Sequence, residues 1–138
     1  MGIKQISVFL ENTTDRLCDV TQTLAKAGVN LRAINIADTA DFGILRIVAD
    51  KTEEAVNALS AAGFTTRQTT VAAVEIEDKP GSLASLLELF LGSGINIAYL
   101  YSSLEGGDGK AVVIFKLEDH DKGFEILKKS GVKLAETF

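Results

Sequence analysis

Apolar and polar residues alternate at the start of the chain. Ile6, Val8 and Leu10 face one way and Gln5, Ser7 and Glu11 the other, the period-two signature of a half-buried strand. The turn and cap formers Asn12-Thr13-Thr14-Asp15 follow. Leu17, Val20, Thr21, Leu24 and Ala27 then keep helical spacing, and Gly28 supplies the left-handed residue that ends a helix. Leu31–Asp38 and Ile44–Ala49 read as two strands around the turn Thr39–Gly43. Thr52 or Asp50 caps a second helix carrying Ala55, Val56, Leu59 and Ala62, which stops at Gly63, and Phe64–Thr69 makes a fourth strand.

The same pattern then returns. Val8-Phe9-Leu10-Glu11, Leu17 and Gly28-Val29-Asn30-Leu31 recur 66 positions later as Val74-Glu75-Ile76-Glu77, Leu83 and Gly94-Ile95-Asn96-Ile97. Leu59 and Gly63-Phe64 recur 68 positions later as Leu127 and Gly131-Val132, so two extra residues are expected in the Gly-rich hairpin loop Glu105–Gly109. The second copy has strands near 71–77, 97–104, 111–117 and 132–137, with helices near 82–92 and 120–130. A repeat of about 65 residues can just enclose a core, so it reads as a duplicated domain with boundaries at 1–69 and 70–138. The order β-α-β-β-α-β, with right-handed crossovers, predicts an α+β fold: two ferredoxin-like sandwiches, each an antiparallel four-stranded sheet with two helices on one face. No Pro or Gly lies between Phe64 and Glu77, so the joint is an extended segment rather than a flexible linker.

The rows within the third strands sharpen this. Leu45/Ile47/Ala49 and Val113/Phe115/Leu117 are uniformly apolar and are assigned to the helix side. The opposite rows, Ile44/Arg46/Val48 and Val112/Ile114/Lys116, are too apolar to be left in water, which implies cover by the other repeat or by another subunit. A homodimer is therefore the expected state. Leu89 and Leu91 lie beyond the stripe Leu83/Leu86/Leu87/Phe90, where the first repeat has Thr23 and Ala25.

Of the 138 residues, 46 % are apolar, enough for a packed core, and the net charge is −5. No Lys/Arg cluster forms a phosphate-binding stripe, which disfavours nucleic acid and anionic membrane as partners. The third strand Ala111–Leu117 carries only Phe115, not the stacked aromatics of an RNA platform. The single cysteine, Cys18, excludes an intrachain disulfide. The most apolar window, Leu83–Leu100, is interrupted by Ser85, Glu88, Gly92, Ser93, Gly94 and Asn96 and is no membrane span. The first residues lack a signal-peptide pattern, so a cytoplasmic protein is expected.

Catalytic and metal-binding patterns are thin. His120 is the only histidine, in an acidic turn where it reads as a surface or helix-capping residue. Cys18 matches Ala84 and reads as a small residue at the core or its margin. Glu11 and Glu77 recur through duplication. No metal-ligand spacing, cofactor motif or nucleotide-binding glycine pattern occurs, and no enzyme activity is expected. The better constellation is the strand-to-helix turn. In Glu77-Asp78-Lys79-Pro80-Gly81-Ser82-Leu83, Pro and Gly set a tight turn into a helix start whose free N–H groups favour a carboxylate. Asn96 enters the next strand; its amide can both donate and accept, and it also reads, like Asn30, as a turn former beside its glycine.

Asp78-x-Pro80-Gly81-x-Leu83 followed by Gly94-Ile95-Asn96-Ile97 resembles the ACT domain, a ferredoxin-like regulatory module that mostly binds free amino acids. The first repeat resembles it too, through Glu11-Asn12, Leu17 and Gly28-Val29-Asn30-Leu31, so the likeness spans nearly the whole chain. The whole is similar to stand-alone proteins made of two ACT repeats, which carry a segment like Ile36–Arg46 in the first repeat and residues like Tyr99 and Tyr101 in the second. The resemblance implies a free amino acid as effector, bound between paired modules. Carried over, the site residues are Asn12, Asp15, Arg16 and Leu17 with Asn30 and Leu31. The second set is Asp78, Pro80, Gly81, Ser82 and Leu83 with Asn96 and Ile97. Asp41, Phe42 and Arg46 are weaker candidates. The first repeat has Thr14-Asp15 where the second has Pro80-Gly81, so the two sites are unequal, with a negative charge where a carboxylate would dock and Arg16 beside it. The resemblance thus implies an amino-acid sensor that regulates an enzyme of amino-acid metabolism. The alternative is a ligand-free subunit that docks on such an enzyme.

Overall fold

The structure is a computed structural model that describes residues 2–11, 13–38 and 42–136, with Asp38 and residues 105–107 described by backbone alone. Asn12 and Asp41 lie outside the described residues. The chain divides into two compact units, Lys4–Thr69 and a second that runs from Thr70 and includes Ile3. In chain order the elements are β1 (Ile3–Glu11), α1 (Arg16–Lys26), β2 (Leu31–Asp38), β3 (Phe42–Ala49), α2 (Thr52–Ala61), β4 (Thr65–Glu77), α3 (Ser82–Glu88), β5 (Ile97–Gly107), β6 (Lys110–Leu117), α4 (His120–Ser130) and β7 (Lys133–Leu134).

β4 corrects one expectation. It is a single strand of 13 residues, so the last strand of the first repeat and the first strand of the second are one piece of chain. The strands expected over Phe64–Thr69 and near 71–77 are thus continuous. With no Pro or Gly to break the extended run, nothing stops the backbone from continuing. In the first unit β1 runs antiparallel to β3, with Val8 opposite Leu45, and β3 antiparallel to β2, with Ile36 opposite the same Leu45. β4 also pairs with β1. In the second unit β4 lies between β7 and β6, and β5 pairs with the far side of β6, all antiparallel.

Each unit has its own core. Ile6, Val8 and Leu10 of β1 and Leu45, Ile47 and Ala49 of β3 meet Val20 and Leu24 of α1 and Ala55 and Leu59 of α2. In the second unit Val74, Val113, Phe115 and Leu117 meet Leu86 of α3 and Phe124 and Leu127 of α4. Phe90 stands edge-on to Phe115, ring centroids 6.1 Å apart. Each fully buried Leu or Phe contributes about 1.5–3 kcal/mol through removal from water. The apolar rows of the third strands therefore do face the helices. On the opposite rows Val48 and Ile114 are buried as well, with Arg46 and Lys116 half-buried.

Other expectations shift. Cys18 is exposed rather than at the core margin, because it sits about 200° round α1 from the buried Val20. Leu17 and Leu83, expected in the core stripes, are 41 % and 38 % exposed. α3 ends at Glu88 instead of near residue 92. Leu89, Phe90 and Leu91 donate to carbonyls three residues back, a tightened turn that runs into the left-handed Gly92 and Gly94. α2 starts after Lys51, with neither Thr52 nor Asp50 as its cap residue. At α4 the cap is Asp119, whose carboxylate accepts from the Lys122 N–H at 3.1 Å, while His120 is the first helical residue. The last strand narrows to two residues. The extra residues of the second repeat sit in an irregularity of β5: between Ser102 and Gly106 the register shifts against Val113 and Ala111. The hairpin itself closes tightly through Asp108 and Gly109, both left-handed at φ 55° and 69°, as a two-residue turn between right-twisted strands requires.

Candidate functional site

The turn of the second repeat grows out of the end of β4. Asp78 donates its N–H to the Gly109 carbonyl at 2.8 Å, which ties the turn to the β5–β6 hairpin. Gly81 then takes φ 88°, a conformation that a side chain disfavours, and so turns the chain into α3. The Ser82 N–H donates to the Lys79 carbonyl and the Ser85 N–H to the Gly81 carbonyl. Lys79 reaches back to Glu77, Nζ to Oε2 2.6 Å, and Lys110 lies 3.9 Å from the other carboxylate oxygen. The Lys79 hydrogen bond, then the charges of Lys79 and Lys110, hold the Glu77 carboxyl below its ordinary pKa. The same hydrogen bond raises that of Lys79.

Behind this turn is a cavity of about 450 Å³. Ile76, Leu86, Leu89 and Val132 give it apolar walls, and Pro80 and Gly81 form its turn side. Ser82, Ser85 and Ser130 add hydroxyl side chains, and the Glu77–Lys79 pair completes the lining. Three residues expected from sequence, Pro80, Gly81 and Ser82, thus come together there. Asp78, Leu83, Asn96 and Ile97 are not among its lining residues. Ile97 packs on the core, Leu83 is partly exposed, and Asn96 is engaged elsewhere.

The repeated asparagines share a structural task. Asn96 Nδ2 donates to Glu118 Oε1 at 2.9 Å, while the Glu118 N–H donates to the Asn96 carbonyl at 3.0 Å. In the first repeat the Asn30 N–H donates to Asp50 Oδ1 at 2.9 Å, and the Asp50 N–H donates back to the Asn30 carbonyl at 3.0 Å. Each bridge fixes the entry of a repeat's second strand. Leu31 packs on the first core.

At the first turn Asp15 takes the left-handed conformation, φ 70°, and stays exposed. The Arg16 guanidinium lies 4.6 Å from the Phe64 ring centroid and 3.4 Å from Asp19 Oδ2. The hollow beside them, lined by Arg16, Asp19, Gln22, Thr23, Lys26, Ala62 and Phe64, measures about 240 Å³. Of the second cavity's lining, sequence reasoning placed Glu77 and Lys79 in the turn but not in the site set, and left out Ile76, Ser85, Leu86, Leu89, Ser130 and Val132. The signal was there in the paired positions: Arg16 against Ser82, Phe64 against Val132, and the surplus Leu89 against Thr23.

A family model described as the ACT domain pair matches residues 1–136. The chain belongs to the ACT domain-pair family. This ACT domain pair is 38 % identical to a protein of known crystal structure from Bacteroides thetaiotaomicron, with a TM-score of 0.91 over 98 % of this chain and 92 % of that one. The regulatory subunit of aspartate kinase from Thermus thermophilus, in its ligand-free form, matches with a TM-score of 0.68 at 17 % identity, covering 95 % and 94 % of the two chains. That from Thermus flavus gives 0.61 at 19 %, covering 92 % and 91 %. These two likenesses establish a shared fold. A comparison with curated proteins gives no match. Among the described residues no helix is long and apolar enough to cross a membrane.

Proposed function

We propose that this ACT domain pair is a non-catalytic regulatory module that binds a free amino acid and passes that event to an enzyme of amino-acid metabolism. The observation that carries the reading is the cavity of about 450 Å³ at the Pro80-Gly81-Ser82 turn, the position at which the family pattern is most complete. Its volume lies in the range of about 300–1,000 Å³ in which small ligands are held. In this reading each repeat is one ferredoxin-like ACT module and the effector sits at the second turn. This reading includes association with a second copy of the chain. Binding shifts the regulated partner by a coupling of about 1–3 kcal/mol.

A thermal-shift screen of the twenty amino acids tests this. A ligand that binds only the folded chain adds about 2.7 kcal/mol at a concentration one hundred times its Kd, so a saturable rise in Tm is expected. No shift at millimolar concentrations of any amino acid would leave only the docking-module alternative.

A further inference from the structure

We infer that the cavity of the second repeat takes an α-amino acid with an apolar side chain of leucine size or larger, its charged head at Glu77 and Lys79 and its side chain among Ile76, Leu86, Leu89 and Val132. This rests on the reading of the protein as an amino-acid binder and adds the ligand class and the repeat that holds it.

The hollows of the two repeats share five matched lining positions: Arg16 and Ser82, Asp19 and Ser85, Thr23 and Leu89, Ala62 and Ser130, and Phe64 and Val132. In the first, Arg16 lies across Phe64 and pairs with Asp19, and about 240 Å³ remains. In the second those positions are Ser82, Val132 and Ser85, and the hollow opens to about 450 Å³. Thr23, on the wall of the first, is replaced by Leu89 in the second. Two bulky residues are lost and an apolar wall is gained at one place, which a packing role alone does not require. The charges then choose the head group. Lys79 Nζ and Glu77 Oε2, 2.6 Å apart, present one cation and one anion. A zwitterion matches both: its carboxylate accepts from Lys79 and its ammonium donates to Glu77. An acidic or basic side chain would set an unpaired charge against the apolar wall, which is costly.

Titration calorimetry on the full chain tests the inference with leucine, methionine and phenylalanine against serine, aspartate and lysine. The double variant Ser82→Arg/Val132→Phe rebuilds the closure of the first repeat, and Leu89→Thr installs the first repeat's wall residue. Apolar amino acids are expected to bind, the double variant to lose binding while its circular dichroism is retained, and Leu89→Thr to weaken binding about five- to tenfold, the loss of one to two buried methylene groups. If the double variant fails to fold, Leu89→Thr alone decides. Binding of a polar amino acid in preference, or apolar binding indifferent to these variants, overturns the inference and leaves the regulatory reading standing. No binding by any amino acid removes that reading, and the inference with it.

Discussion

Where the first repeat lays the Arg16 guanidinium on Phe64, the second has Ser82 and Val132. Both repeats form the same elements around the same apolar rows, so the exchange leaves the scaffold intact and changes what the scaffold encloses. In the first repeat Arg16 and Phe64 leave a hollow of only about 240 Å³. The second leaves room.

The largest expected effect comes from truncating the matched pair. Phe64 is 7 % exposed and belongs to the first core, so Phe64→Ala should cost about 3–5 kcal/mol. Val132 is only half-buried beside an existing cavity, so Val132→Ala should cost under about 1 kcal/mol. Urea denaturation of the two variants measures both. Equal losses would mean that the second cavity is as tightly packed as the first.

The turns give the next contrast. Asp15 and Gly81 occupy matched left-handed positions, φ 70° and 88°. A non-Gly residue there carries about 1–2 kcal/mol of strain. Asp15→Gly should therefore raise stability by up to about 1 kcal/mol, and Gly81→Ala should lower it by about 1 kcal/mol. A Cβ at Gly81 would meet nothing within 4 Å, so backbone conformation alone sets that cost. A rise in Tm for Asp15→Gly with a fall for Gly81→Ala is the expected pattern. A fall for both would show that the Asp15 side chain contributes more than its strain removes.

The sequence displayed the scaffold more clearly than the site. Strands such as Ile6–Leu10 and rows such as Val113/Phe115/Leu117 are visible because burial on one face writes a period into the chain. The length of α3 was not visible: Leu89-Phe90-Leu91 continues a helical apolar pattern, yet their N–H groups donate to carbonyls three residues back before the left-handed Gly92. Nor was the task of Asn30 and Asn96, since their partners Asp50 and Glu118 lie 20 and 22 residues on. The cavity is the hardest case. No motif marks it; it arises because Ser82 and Val132, far apart in sequence, are both small at one place in space. The Pro80-Gly81 signature located the turn, while the volume beside it is a tertiary property.

The smallest expected effect separates the two turns by charge. Glu77 carries Lys79 in the second repeat, whereas Glu11 has Thr13 at the matching position. Because the native pKa of Glu77 is lowered, its contribution is present above the ordinary carboxylate range and is lost as pH falls through the lowered value. Because that of Lys79 is raised, its contribution is present below the ordinary ammonium range and is lost as pH rises through the raised value. The pair therefore acts across the neutral range and fades at both ends. Both groups are open to solvent, so salt at roughly 1 M, with a screening length of about 3 Å, should erase most of the effect. Urea midpoints at pH 7 and pH 3 measure it. Glu77→Gln should narrow the difference between them at low salt and leave it unchanged at high salt, while Glu11→Gln provides the matched control. An equal narrowing in both variants would mean that the Lys79 contact adds nothing to what a carboxylate at that position already contributes.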